Sequence, residues 1–225
     1  MFFGIYIYEG VEPIDLATLG VLSMARRIAP EIRFCTIAPQ AGATRLSNGL
    51  TVLADFGIAD APPVDVLIVT GGPGWQAQTK DEATLAFLRR RADETLLASV
   101  CTGGMILAAA GVLEGKSATT KREVVPPEHP PIDAMRSGYP GIDVQNAMLV
   151  DNGSIITGGG VTLCIDATLY ILETCLGPEV AAETARIMEY SRARKANSEQ
   201  FPSIINDSAH DGRDRVKQRR RANSH

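Results

Sequence analysis

One cysteine stands where two kinds of sequence meet. In Ala98-Ser99-Val100-Cys101-Thr102-Gly103-Gly104-Met105 an apolar, strand-like run stops at Cys101, and a small-residue helical pattern begins. A thiol at the end of a buried strand, in the first turn of a helix, sits where an open parallel sheet presents its ligand crevice. The free amides and partial positive charge of the helix start favour thiolate over thiol, which predicts a pKa below the free value of about 8.5. The competing reading is a small buried hydrophobe, the usual fate of a free cysteine.

Two other stretches point at the same crevice. Thr70-Gly71-Gly72-Pro73-Gly74 ends the continuous apolar run from Val64 to Val69, so its backbone can supply amides beside the sulfur. Asp15 follows Pro13-Ile14 after the first strand, a lone carboxylate entering an apolar helix. Gly103, Gly104 and Ala108 to Ala110 let the helix after the cysteine press against the sheet, and bulk at Gly103 disturbs that turn. Thr102 either orients a water or Asp15, or caps the helix. Trp75, the only tryptophan, either lines the mouth of the crevice or is packed.

The elements that must position these groups follow from periodicity. Strand-like runs alternate with helix-period segments, the pattern of a parallel sheet covered on both faces. Strands are expected at 2–8, 32–37, 64–69 and 96–100, and helices at 15–28, 103–113 and 161–176. Another helix opens with Thr79 and Glu82 at capping-box spacing, and a last amphipathic helix runs from Gly177-Pro178 to about Tyr190. Asn48-Gly49 and Asp151-Asn152-Gly153 mark hairpins, the first expected on the sheet edge. Residues 122–143 hold five of the 13 prolines and read as a long irregular excursion.

Composition bounds what the chain can do. With 225 residues and 45% hydrophobic content it can bury one substantial core. Residues 191–225 hold 9 of the 22 Lys and Arg but 4 of the 26 Asp and Glu, leaving the first 190 residues with 13 basic against 22 acidic groups. One domain over 1–190 and a disordered, basic tail over 191–225 are therefore expected. An acidic body without zinc spacing gives no footprint for nucleic acid, and no apolar run is long enough to span a membrane. Cys35, Cys164 and Cys175 read as reduced core residues, and a cytoplasmic location is expected. No metal or cofactor is called for.

Pro13-Ile14-Asp15-Leu16, Thr70 to Gly74, Ser99 to Gly103, Ala110 to Lys116 with Ala118-Thr119-Thr120, and Thr157-Gly158-Gly159-Gly160 with Ile165-Asp166 together resemble the ThiJ/PfpI superfamily of class I glutamine-amidotransferase-like domains. The branch they look most like is that of isocyanide hydratases and the related sensor domains of AraC-type regulators. The resemblance covers about residues 1–190. It implies a flavodoxin-like three-layer α/β sandwich with a nucleophile elbow, and a homodimer. It also implies Cys101 as nucleophile, Gly72 and the Thr102 amide as backbone donors, and Asp15 as the carboxylate near the sulfur. Where close relatives continue with His-Trp after Ala118-Thr119-Thr120, this chain has Lys121-Arg122, so its pocket is expected to differ.

The chemistry narrows further. Cysteine hydrolases use a histidine to move protons, yet His210 and His225 fall in the tail and His129 in a Pro-rich loop. Hydrating an isocyanide demands less, because its terminal carbon needs a nucleophile and then a proton, which one carboxyl group supplies. The small-molecule reaction that the resemblance implies, and that these residues suit, is isocyanide to N-formamide, through a thioimidate on Cys101 with Asp15 as acid and base. A non-catalytic ligand or redox sensor, and glyoxalase or deglycase chemistry, are the alternatives. Loss of turnover in Cys101→Ala separates an enzyme from a sensor.

Overall fold

The alternation of strands and helices is realised in the computed structural model, which describes residues 1–206. In chain order, β1 (Phe2–Tyr6) leads through a 3-10 turn (Pro13–Leu16) into α1 (Ala17–Ala25) and β2 (Arg33–Ala38). β3 (Gly42–Arg45), β4 (Thr51–Ala54), β5 (Phe56–Gly57) and β6 (Val66–Val69) follow. The short α2 (Trp75–Gln78) and α3 (Glu82–Glu94) precede β7 (Leu96–Ser99) and α4 (Gly103–Ala109). Next come β8 (Ser117–Ala118), α5 (Pro131–Gly138), β9 (Asp143–Val144), β10 (Leu149–Asp151), β11 (Ile155–Gly158) and α6 (Leu163–Leu176). α7 (Pro178–Ile187), α8 (Ser191–Gln200) and β12 (Ser203–Ile205) complete the described chain.

Eight strands form one sheet in the order β12-β10-β11-β7-β6-β1-β2-β5. All neighbours pair in parallel except β10 and β11, so β10 and β12 run against the rest. The strands β2-β1-β6-β7-β11 follow the flavodoxin-like order, with the direction of winding reversing between β1 and β6. Right-handed crossovers on either side of that reversal send the helices to opposite faces. Accordingly α1, α6 and α7 pack together on one face, and α3 and α4 on the other. Every residue of β6, β7 and β11 is buried, which is why these strands read as unbroken apolar runs rather than alternating ones. The carboxyl ends of β1, β6 and β7 thus open onto one crevice.

Several local expectations give way to packing. The hairpin around Asn48-Gly49 forms a separate two-stranded sheet of β3 and β4, and the edge of the main sheet is β5. Asp81 rather than Thr79 caps α3, accepting from the Ala83 amide at 3.2 Å. The excursion at 122–143 contains α5, introduced by Pro130-Pro131 and buried through Ile132 and Met135.

The boundary at 190 is also corrected. α8 continues the fold, with Arg194 paired to Glu173 at 2.6 Å and Asn197 donating to Asp166 at 2.8 Å. β12 then pairs with β10 and covers an edge that would otherwise expose unpaired amides, while Phe201 packs on Met148, Leu149 and Leu163. The charged run 211–225, with His210 and His225, lies outside the described residues. Among the described residues no helix is long and apolar enough to cross a membrane.

Candidate active site

Cys101 lies just past β7 with a backbone φ of 53°, a left-handed conformation that costs an L-residue about 1–2 kcal/mol. The surroundings hold it there. Its amide donates to Gly159 O at 3.0 Å, its carbonyl accepts from Thr120 Oγ1 at 2.8 Å, and Gly103 N donates to Val100 O at 2.9 Å. Gly103 is required sterically, since a Cβ there would run into the Val69 carbonyl oxygen. The result is a sharp elbow that raises the sulfur from the strand end into the crevice.

The carboxylate arrives from the loop after β1, which lies beyond β6 from β7. Asp15 sits in the 3-10 turn, has no solvent exposure, and accepts the Gly71 amide on Oδ2 at 2.6 Å. Burial pushes its pKa up to about 7, and the Glu12 charge adds to the rise; the Gly71 bond and the Lys121 ammonium hold it back. Gly71 needs its bare backbone, because a Cβ would collide with the Thr102 amide.

Burial also raises the Cys101 thiol, the reverse of the helix-start expectation. Only 1% of Cys101 is exposed, and the Asp15 carboxylate adds a repulsive charge. The Thr102 amide and Lys121 favour thiolate but are outweighed. Burial removes the water that would solvate an anion on the sulfur, and a seven-residue helix does not replace it. The resting cysteine is therefore a thiol beside a carboxyl group poised near neutrality.

Thr102 is not the helix cap that its sequence context offers. It makes no side-chain cap to α4; its hydroxyl instead accepts the Gly72 amide at 2.8 Å and tethers the elbow to the glycine loop. The Gly72 amide is therefore committed to Thr102 and not free for the sulfur, whereas the Thr102 amide does face it. Trp75 is half-buried, both packed against the core and lining the crevice, so its two readings hold together. Cys35 and Cys164 are buried, and Cys175 is half-buried.

Above these groups lies a cavity of about 570 Å³, reached by Cys101, Thr102, Gly72, Pro73, Trp75 and Val161. Its roof comes from the Pro-rich excursion through Lys121, Val124, Glu128, His129, Pro131 and Ala134. Two neighbours of the thiol have no role in the sequence reading, although Gly160 belongs to a motif quoted there. Tyr8 is fully buried, donates to Thr70 O at 3.2 Å, and has its acidity suppressed by burial and then by the Asp15 and Cys101 charges. Gly160 packs so close that a Cβ would lie 2.9 Å from the Cys101 sulfur. A tyrosine two residues beyond the end of β1, in the segment that leads to Asp15, was the available signal for the first.

A nucleophile elbow after the central strand, a carboxyl group from the first loop and a glycine loop between them form a specific constellation. Residues 4–174 match the DJ-1/PfpI family model. The chain belongs to the DJ-1/PfpI family. It is 30% identical to isonitrile hydratase of Pseudomonas putida over 211 residues, covering 92% of this chain and 87% of that one. It is also 28% identical to the HTH-type transcriptional regulator GbdR of Pseudomonas aeruginosa, over 88% of this chain but 53% of the regulator. A ThiJ/PfpI family protein from Pseudomonas syringae has the same fold, with a TM-score of 0.73 and 23% identity over 94% and 90% of the two chains. This DJ-1/PfpI chain thus shares its fold with enzymes and with parts of regulators, and its own site must decide between them.

Proposed function

We propose that this chain hydrates a small isocyanide to the N-formamide, with Cys101 as nucleophile and Asp15 as the proton carrier. The observation that carries this reading is the pairing of a buried thiol with a buried carboxyl group of pKa about 7, with no histidine hydrogen-bonded to either among the described residues. Acyl transfer needs a base that also protonates a leaving amine; hydration of an isocyanide has no leaving group.

The steps balance with one carboxyl group. Asp15 carboxylate takes the Cys101 proton as sulfur bonds to the terminal carbon, then returns that proton to the carbon, giving a thioimidate. Water adds across the C=N bond, Asp15 taking its proton and passing it to nitrogen. The C–S bond breaks as the hydroxyl proton moves through Asp15 to sulfur, releasing the N-formamide and the original thiol. The Thr102 amide steadies charge on sulfur in the first and last steps. The identity to an isonitrile hydratase supports the same reading.

Formamide production from an aryl isocyanide by wild type, Cys101→Ala and Asp15→Asn tests it. Cys101→Ala should abolish turnover, and Asp15→Asn should lower kcat by about 10²–10⁴-fold. Because the carboxylate form accepts the thiol proton, kcat/KM should rise with pH through about 7 and then level off, the thiol staying protonated above that. Saturable binding without turnover would favour the ligand sensor that the regulator relatives suggest. Turnover of 2-oxoaldehydes alone would favour glyoxalase-type chemistry.

A further inference from the structure

The roof of the Cys101 cavity is a strap tied down mainly at its ends. It leaves the core after Thr119 and Thr120, whose hydroxyls donate to the Ala147 carbonyl at 3.2 Å and the Cys101 carbonyl at 2.8 Å. It returns at α5 through buried Ile132 and Met135, where the Ile132 amide donates to the Lys121 carbonyl at 3.1 Å. Between these ends, among the described residues, every hydrogen bond is local: the Lys121 ammonium donates to the Glu123 carbonyl, and the Glu128 amide to the Val125 carbonyl. The outer face is open to solvent, with Val125 73% exposed. Such a span opens at low free-energy cost unless a side chain holds it.

One side chain of the strap reaches a distant segment. The Arg122 guanidinium lies over the Phe201 ring, 4.4 Å from its centroid. Phe201 is fixed from its other side, packed on Met148, Leu149 and Leu163, and Pro202 next to it accepts the Met148 amide at 2.8 Å where β12 joins β10. The ring thus belongs to the edge of the sheet and the guanidinium to the roof. Residue 201 also lies beyond the family match, which ends at 174. Both partners are half-buried, so the attraction of the cation to the ring face is only partly screened by water.

The strap starts beside the thiol. Lys121, the neighbour of Arg122, lines the cavity, and its Cβ and the Cys101 sulfur stand 3.1 and 2.9 Å from the point that a Gly160 Cβ would occupy. A shift of the chain at Arg122 therefore changes what reaches the sulfur.

We infer that Arg122 and Phe201 form a latch that holds the strap closed over Cys101, which makes Phe201 a positioning residue of the site. The latch takes no part in bond-making, since Cys101 and Asp15 are held by Gly159, Thr120 and Gly71. That the closed strap grips a substrate rests on the proposed hydration; that it shields the thiol does not.

Three substitutions isolate the contact. Phe201→Leu keeps the apolar packing and every charge but removes the ring face, Arg122→Met keeps the stem but removes the cation, and Phe201→Tyr keeps the face. Alkylation of Cys101 by N-ethylmaleimide at one fixed pH reports opening without turnover, read from the mass of the Cys101 peptide so that Cys35, Cys164 and Cys175 do not interfere. Phe201→Leu and Arg122→Met should each speed it about threefold to tenfold. Phe201→Tyr should restore the wild-type rate, and the double variant Arg122→Met with Phe201→Leu should be no faster than either single one, because one contact is lost only once. Unchanged rates in the single variants, effects that multiply in the double variant, or Phe201→Tyr as fast as Phe201→Leu would overturn the latch.

With an isocyanide as substrate, the same two single variants should raise KM about threefold to tenfold while kcat stays within about twofold. A fall in kcat at unchanged KM would refute the latch. Faster alkylation in the variants, with no isocyanide hydrated by wild type, refutes the chemistry and leaves the latch standing. Hydration by wild type, with alkylation untouched by the variants, refutes the latch and leaves the chemistry standing.

Discussion

Replacing Asp15 by Asn should stabilise the protein while disabling it, and the gain should depend on pH. The carboxyl group has no solvent exposure, and its pKa stands at about 7 against an ordinary 3.8. Between those values the folded chain binds the proton more tightly than the unfolded chain. Its contribution to stability therefore falls as pH rises through this window and is fully lost above about 7. At about 1.4 kcal/mol per pKa unit, the aspartate costs about 4 kcal/mol at pH 8 but only about 2 kcal/mol at pH 5. Asparagine carries no charge at either pH and keeps an oxygen for the Gly71 amide. Urea unfolding of wild type and Asp15→Asn at both pH values measures this directly. The variant should gain about 2–3 kcal/mol more at pH 8 than at pH 5. Equal gains at the two pH values, or a loss at pH 8, would mean that the carboxyl group is not held near neutrality. The proton-carrier role would then lose its basis.

Gly103→Ala should lower stability by about 1–3 kcal/mol through its clash with the Val69 carbonyl. Gly20→Ala, exposed in α1 with nothing near its Cβ, should raise it by about 0.5–1 kcal/mol, and thermal melts of the two should move in opposite directions. A chain ended at Tyr190 should melt below the full chain and aggregate, since it loses the Asn197 bond to Asp166 and bares the β10 edge; light scattering during the melt checks both effects.

The residues that carry the chemistry are legible in the sequence because each breaks a local rule. Cys101 interrupts an apolar run, Asp15 enters a helix alone, and Gly71-Gly72 ends a buried strand. Buried parallel strands are continuous apolar segments, so their ends and the crevice above them follow from pattern alone. Charge state does not. The helix start argues for thiolate at Cys101, but desolvation depends on how many atoms from distant segments surround the sulfur. Here Gly160, Lys121 and Asp15 close in from three loops. Thr102 is likewise decided by a neighbour 30 residues away, the Gly72 amide, which outcompetes the helix cap that its own context offers.

The roof of the cavity and the end of the fold were beyond pattern for the same reason. Residues 122–143 are rich in proline, which marks irregular backbone without saying what it covers; only packing of Ile132 and Met135 brings Glu128 and His129 over the thiol. The helix at Ser191–Gln200 has no buried residue, so it lacks the apolar stripe that periodicity detects, and it is held by polar bonds to α6. Sequence determined which groups could react and which strands present them, because both are local properties of the chain. Tertiary structure decided their protonation and their enclosure, because solvation is set by what long-range contacts bring to the site.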